Sequence, residues 1–248
     1  MSALFFGSLG AQSQTLAALS EVVILLPVFL ILFTWRGFIQ ALFAKLVGDT
    51  TPEEDGFLSL NPTVHVDMLG FMIILAAFFV ITAFFSSAIP RTVMLIMLVM
   101  MGVRWTYPVQ IDDSRFTNYR LGGIVTTLAG AFSNFLLAFM STGILKIIMQ
   151  FDLPQAALMS FAGIFTTLIS IAIFFGLIDL IPLPPFDGGR LLRYVLPYRK
   201  QHIVQTLEEY SFFIMLVLFF APVISNIFFG GLSIAAIVIK KFFSSIFF

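Results

Sequence analysis

No ordinary helix can run through Leu180-Ile181-Pro182-Leu183-Pro184-Pro185-Phe186-Asp187-Gly188-Gly189-Arg190-Leu191-Leu192-Arg193. Pro182, Pro184 and Pro185 remove backbone donors and hold the chain extended. Gly188 and Gly189 then permit torsions and close approaches that a side chain would block. A strongly apolar run, Leu168 to Gly176, leads into the stretch, and Asp179 and Asp187 stand at its edges. Broken backbone at membrane depth is tolerated only where protein or a water-filled cavity satisfies its polar groups. A carboxylate beside such a break is therefore a site candidate. The competing reading is an interfacial loop with Asp187 in water.

That argument needs a membrane, and the composition supplies one. Of 248 residues 60% are hydrophobic and only 10% charged, against about 25% charged in soluble domains. The 32 phenylalanines suit lipid-facing and interhelical packing without implying a cofactor. Formal net charge is zero, so nothing points to nucleic acid. The absence of cysteine excludes disulfides and thiolate metal ligands. The first residues lack the basic region of a secretory leader, so none is expected.

The apolar segments define an all-α membrane protein of about five or six transmembrane helices with short extended or β segments. Residues 1–15 read as an N-terminal tail and 16–248 as a single transmembrane domain. Segment one runs from Leu16 to Leu46, segment two from Met68 to Phe85, and a shorter apolar run covers 88–103. Segment three spans Leu121 to Met149 and segment four Ala156 to Leu180. Segment five, Tyr210 to Phe229, is expected to break at Gly230-Gly231 before a last apolar piece. Phe57-Leu58-Ser59-Leu60-Asn61-Pro62 alternates like a strand or hairpin, and Pro108-Val109-Gln110-Ile111 reads as extended. The loops at 45–65, 104–120 and 190–200 hold most loop Lys and Arg, which makes their side cytoplasmic and the N-terminus non-cytoplasmic.

Four pieces in one order then resemble the site-2 protease family of intramembrane zinc metalloproteases. The Pro-Gly stretch is similar to that family's asparagine-leucine-leucine-proline…leucine-aspartate-glycine-glycine motif, with Asp179 in place of the asparagine. Asn61-Pro62-Thr63-Val64-His65-Val66-Asp67, ending at Gly70, is similar to its N-P-x-x-H-x-D-P-x-G element, with Met68 for the proline. Leu128-Ala129-Gly130-Ala131-Phe132-Ser133-Asn134 is similar to its A-G-P-x-x-N helix start, again lacking the proline. Trp105…Pro108-Val109 and Arg115-Phe116 complete the likeness.

The departures bear on function. The family carries H-E-x-x-H about eight residues before a glycine-aspartate pair, here Gly48-Asp49, and the aligned positions are Arg36-Gly37-Phe38-Ile39-Gln40. Histidines at i and i+4 bind zinc and the glutamate is the general base. Arginine has no lone pair for a metal, glycine no base, and glutamine is a poor zinc ligand. Of the family's three zinc ligands only Asp187 is kept. A rebuilt His65–Asp67–Asp187 set would require loop geometry to assemble it; the plainer role for His65 is a hydrogen-bonded turn residue. His202 is expected to be exposed.

The expectation is therefore a pseudoprotease without metal or other cofactor. Its former site (Arg36, Gly37, Gln40, Asp187, Asp179, Asn61, His65, Asp67, Asn134) would serve as a groove for other membrane proteins. The partners implied are the lipid bilayer and transmembrane segments or extended strands, within a complex in a bacterial cytoplasmic membrane. Two alternatives stand beside it: an active zinc protease with unorthodox ligands, and a transporter or proton pathway using Asp179 and Asp187. A lone arginine within the membrane costs about 3 kcal/mol even on lenient scales. Arg36 is accordingly expected to bond Asp187 or Asp179, with Gln40, one turn on, taking a remaining hydrogen bond. Otherwise Arg36 snorkels to the interface.

Overall fold

The computed structural model describes residues 2–67, 69–70, 72–73 and 106–247, with side-chain surroundings from Ile24 onward except at 219, 220 and 222. In chain order these form α1 (Ser2–Leu46), α2 (Thr51–Glu54), α3 (Pro62–His65), α4 (Tyr119–Ile148), α5 (Gln155–Asp179), α6 (Asp187–Val195), α7 (Gln201–Glu209), α8 (Ser211–Phe220) and α9 (Pro222–Phe247). Among the described residues four helices are long and apolar enough to cross a membrane: Ile24–Leu46 within α1, α4, α5, and Val223–Phe247 within α9. Of the crossings expected at 68–85 and 88–103, nearly all lies outside the described residues, as does Trp105. Helix α1 is longer than segment one, because it starts at Ser2 and takes in the residues read as a tail.

The core is where α1, α4 and α5 meet. Val28, Leu32, Ala138, Ala172 and Ile173 are buried there. Phe33 stacks on Phe29 at 5.9 Å and meets Phe175 edge-on at 5.7 Å. Small residues let the backbones approach, as is usual between helices in lipid. A Cβ on Gly176 would come within 2.8 Å of the Phe135 ring. The Trp35 indole N–H donates to Ser133 O at 2.9 Å, fixing the register of α1 against α4. Helix α9 joins from outside, with Phe243 and Phe247 packed on Phe139 at 5.5 and 4.9 Å.

Two local expectations are corrected. No strand forms at 57–62; among the described residues sheet pairing is confined to one antiparallel bridge between Val66 and Thr106. Asn61 instead caps α3, its side chain accepting from Thr63 N at 3.2 Å, and Pro62 opens the helix. Pro at the first helical position costs no hydrogen bond and a polar cap strengthens the start, so this local signature overrides the alternation. The stretch Leu128–Asn134 lies in the middle of α4, inside the segment expected at Leu121–Met149. Alanine at 131, where the family has proline, lets the helix continue. The late break falls at Ala221, with φ −80° and ψ 108°, and not at Gly230-Gly231, which α9 passes through. Pro222 imposes extended backbone on its predecessor, a stronger constraint than a glycine pair.

The buried carboxylate of Asp49 holds the far end of α1 against the loop that faces the site. One oxygen accepts from Thr51 N and the other from Asp112 N, both at 2.9 Å. Thr117 N donates to Val47 O at 3.0 Å, and Gly48, at φ +110°, accommodates the crossing. A Cβ there would stand 2.9 Å from Thr117 Oγ1. On the other side Tyr107 N donates to His65 O at 2.9 Å. Residues 106–117 are thereby tied to both α1 and α3.

Candidate functional site

Helix α5 ends at Asp179, the Pro-rich turn reverses the chain, and α6 begins at Asp187, where a carboxylate suits a helix N-terminus. The glycines make the reversal possible. A Cβ on Gly188 would lie 2.2 Å from Ile181 O, and one on Gly189 would lie 2.4 Å from Pro184 N. The turn thus folds back on α6 and carries Asp187 into the protein, with 6% of its surface exposed, and not out to water.

Arg36, on α1, meets it. Its Nη2 donates to Asp187 Oδ2 at 2.6 Å and lies 3.3 Å from Asp179 Oδ2. Asn134, fully buried on α4, donates through Nδ2 to Asp179 Oδ2 at 3.1 Å. Arg190, one turn along α6, places Nη1 3.9 Å from Asp187 Oδ1. Two guanidinium groups and two carboxylates balance at net zero, which suits a site held between membrane helices. Gly130 supplies the room, since a Cβ there would stand 2.8 Å from Asp187 Oδ2. The ion pair expected between Arg36 and the carboxylates is thus present. Gln40 does not take the remaining hydrogen bond: it is buried against Gly130, and its Nε2 has no partner.

His65 approaches from α3. A Cβ on Gly37 would come within 2.4 Å of its Nδ1, so the imidazole occupies the space beside α1 that a longer residue at 37 would need. Ser59 O, 2.7 Å from His65 Nε2, can only accept, so Nε2 carries the proton. Burial holds the His65 pKa below its usual range, which keeps the ring neutral and leaves Nδ1 a bare acceptor without a partner. Phe57 braces the ring edge-on at 5.4 Å. Arg36, Gln40, His65, Tyr107, Asp187 and Arg190 are among the residues that line a cavity of about 220 Å³.

The remaining sequence candidates lie apart. Asn61 is the exposed cap of α3, and Asp67 accepts from Leu69 N at 3.1 Å in its own turn. His202 is exposed, its Nδ1 3.1 Å from Arg199 O. His65, Asp67 and Asp187 are not assembled into a metal set; among the described residues no three His, Asp or Glu side chains are grouped to hold an ion. Sequence reasoning passed over Arg190, although its spacing of three from Asp187 on one helix was a usable signal. It also passed over Tyr194, whose hydroxyl donates to the Asp113 carboxylate at 2.8 Å and clamps α6 to the loop. No local pattern announces that contact.

A zinc ion does not fit the residues present. Catalytic zinc needs three protein ligands and an open position. Asp187 is engaged by Arg36, whose cation has no lone pair, Gln40 is a poor replacement for the second histidine, and Gly37 supplies no base. His65 Nδ1 is turned toward Gly37.

Comparison with known proteins reaches most of the chain. The model for peptidase family M50 matches residues 23–222. A protein of Bacillus subtilis (strain 168) called "Putative zinc metalloprotease YwhC" is 29% identical over 232 residues, covering 92% of this chain and 94% of its own length. No solved structure matches.

Proposed function

The chain belongs to peptidase family M50, the site-2 proteases, and from that premise we propose that it is a catalytically inactive member that binds segments of other membrane proteins as scaffold or accessory subunit. One observation carries the reading: the Arg36 guanidinium sits 2.6 Å from Asp187, the one zinc-ligand position that the chain keeps. A fixed cation at that point repels a metal ion and satisfies the carboxylate that would have bound it. The missing glutamate at Gly37 removes the base as well. What remains is a polar cavity lined in part by residues 107–109, which run free of helix beside it and suit the holding of a peptide segment. The same reading places the protein in a bacterial cytoplasmic membrane with its N-terminus outside, on the Lys and Arg bias of the loops.

The competing reading is an active zinc peptidase, favoured by the family and by the name its Bacillus relative carries. Metal analysis of the purified chain separates the two: about one tightly bound zinc per chain would restore the enzyme. The binding role is tested with photo-crosslinkers at Leu58, Val109 and Ile111 in native membranes. Capture of a defined membrane protein at these positions supports it, and capture of lipid alone refutes it.

A further inference from the structure

Helix α9 carries a lysine whose charge is left unanswered. The exposed Lys240 ammonium donates to Ser170 Oγ on α5 at 3.1 Å. Ser170 commits its own proton to Thr166 O at 2.7 Å, so its oxygen accepts and two of the ammonium's N–H groups stay over. Ser170 lies about 22 Å along α5 from Gln155 and about 14 Å from Asp179, near the middle of a hydrocarbon layer about 30 Å thick. The other helices agree. Lys240 lies about 10 Å before Phe247, whose ring meets Gly143, itself about 8 Å before the end of α4. The surface at that end of α4 is apolar, with Met140, Ile144 and Ile147 exposed. The ammonium is thus further from the ends of these spans than a lysine stem reaches.

No carboxylate of the chain stands near it. Among the described residues the ion pairs leave Lys240 out. The stretch from Met68 to Trp105 contains no Asp or Glu. Asp187 and Asp179 belong to Arg36, and Asp179 is on the face of α5 opposite Ser170. Glu21 stands a turn before Ile24, which meets α5 at Gly163, about 10 Å along that helix from Ser170. An ionised side chain at membrane depth without a counter-charge marks a functional position.

We propose that Lys240 receives the carboxylate of a glutamate or aspartate on a partner's transmembrane helix, seated along the outer faces of α5 and α9. The free N–H groups of the ammonium donate to the carboxylate oxygens, and each charge cancels the other out of water. Depth selects this occupant, because a lipid phosphate stays at the interface whereas a helix carries its acid to any level. The surface admits one. Gly163, Thr166 and Ser170 share one face of α5, and Ser233, Ile237 and Lys240 one face of α9. Thr166, Ser170, Ser233 and Ile237 are all exposed, and the short residues among them let a second backbone come close. The inference rests on the reading of the chain as a partner-binding subunit, but it uses a surface turned away from the groove beside Asp187.

The test uses the purified full chain in phosphatidylcholine vesicles. Fluorescently labelled leucine-rich transmembrane peptides carry Glu, Gln, Leu or Lys at one central position, and energy transfer reads association. The Glu peptide should bind about fivefold to thirtyfold more tightly than the Leu peptide, and Lys should bind most weakly. Lys240→Gln, which can keep the bond to Ser170, should abolish that advantage. Lys240→Arg should retain it, and Lys241→Gln, on the neighbouring lysine, should leave it in place. Binding of Gln as tight as Glu, a Glu peptide no tighter than Leu, or an advantage that survives Lys240→Gln would overturn the proposal. An advantage that vanishes when phosphatidylglycerol is added overturns it too, and assigns Lys240 to a lipid phosphate. Energy transfer between labelled copies of the chain that Lys240→Gln abolishes assigns it instead to a second copy. If the Glu advantage is missing while crosslinks at Val109 capture a membrane protein, this surface fails and the groove stands. If the Glu peptide binds while those crosslinks capture lipid alone, the groove fails and this surface stands.

Discussion

Replacing Arg36 by leucine removes the cation that two inward-facing carboxylates share. The guanidinium is 2.6 Å from Asp187 and 3.3 Å from Asp179, and both acids are less than a tenth exposed. Unit charges about 4 Å apart attract by ~4 kcal/mol at an effective dielectric near 20. Measured losses on breaking a buried pair run about 3–5 kcal/mol. Arg36 itself is 24% exposed, so some hydration remains available to the site and the lower end applies, about 3 kcal/mol. For a chain of this size that corresponds to a fall of about 6–12 °C in melting temperature. The geometry also predicts the pattern of rescue. Arg36→Leu with Asp187→Leu should recover only part of the loss, because Asp179 keeps Asn134 but no cation; adding Asp179→Asn should recover most of the rest. The assay is thermal unfolding in mild detergent, followed by size-exclusion of the remaining monodisperse protein, for all members of the cycle. An Arg36→Leu protein within about 0.5 kcal/mol of wild type, or purely additive losses, would refute the buried cluster.

Rebuilding H-E-x-x-H as Arg36→His, Gly37→Glu and Gln40→His should give little zinc binding on its own, because a Cβ at 37 collides with His65; adding His65→Ala should raise zinc toward about one per chain by elemental analysis. Stability should also depend on pH through His65. Its pKa is lowered by burial from 6.5, so the unfolded chain binds the proton first. The contribution of the neutral ring is therefore complete above 6.5 and is lost as pH falls through the lower folded value, a slope that His65→Gln should remove from melting curves. Tyr194→Phe should cost about 1–2 kcal/mol and loosen α6 from the loop, read as faster amide exchange at 106–117. Gly130→Ala should displace Asp187 and mimic part of the Arg36→Leu loss, detectable in the same melting assay.

The ion cluster was legible because a charge in an apolar segment has few acceptable places to go. Arg36 and Asp179 each lacked a nearby residue of opposite sign within their own apolar segments, so they implied one another across the fold, with Asp187 beside them at the break. Gln40 was misjudged for a related reason: its spacing set the correct helix face, but spacing does not report whether the last ångström toward the carboxylates is filled. Segments three and four were readable to within a residue or two from their apolar lengths, and their ends bear Asn118 as a cap and the Pro-rich turn. At Phe57–Pro62 the period-two pattern misled because two residues, Asn61 and Pro62, carried the decisive signal. The packing of His65 on Gly37 had no trace in either local pattern, since it joins two segments through the absence of a side chain.

That last contact also bears on how a sequence like this can change with time. Arg36→His alone strands two acids, and any side chain at Gly37 meets the imidazole before it can reach a metal. Moving His65 first opens a void beside Phe57 and abandons the bond to Ser59 with nothing gained in return. The one-residue steps at positions 36, 37 and 65 therefore each cost stability before a metal set is complete. The side chain missing at Gly37 thus couples positions 36, 37 and 65, so that a return to metal chemistry calls for replacements made together.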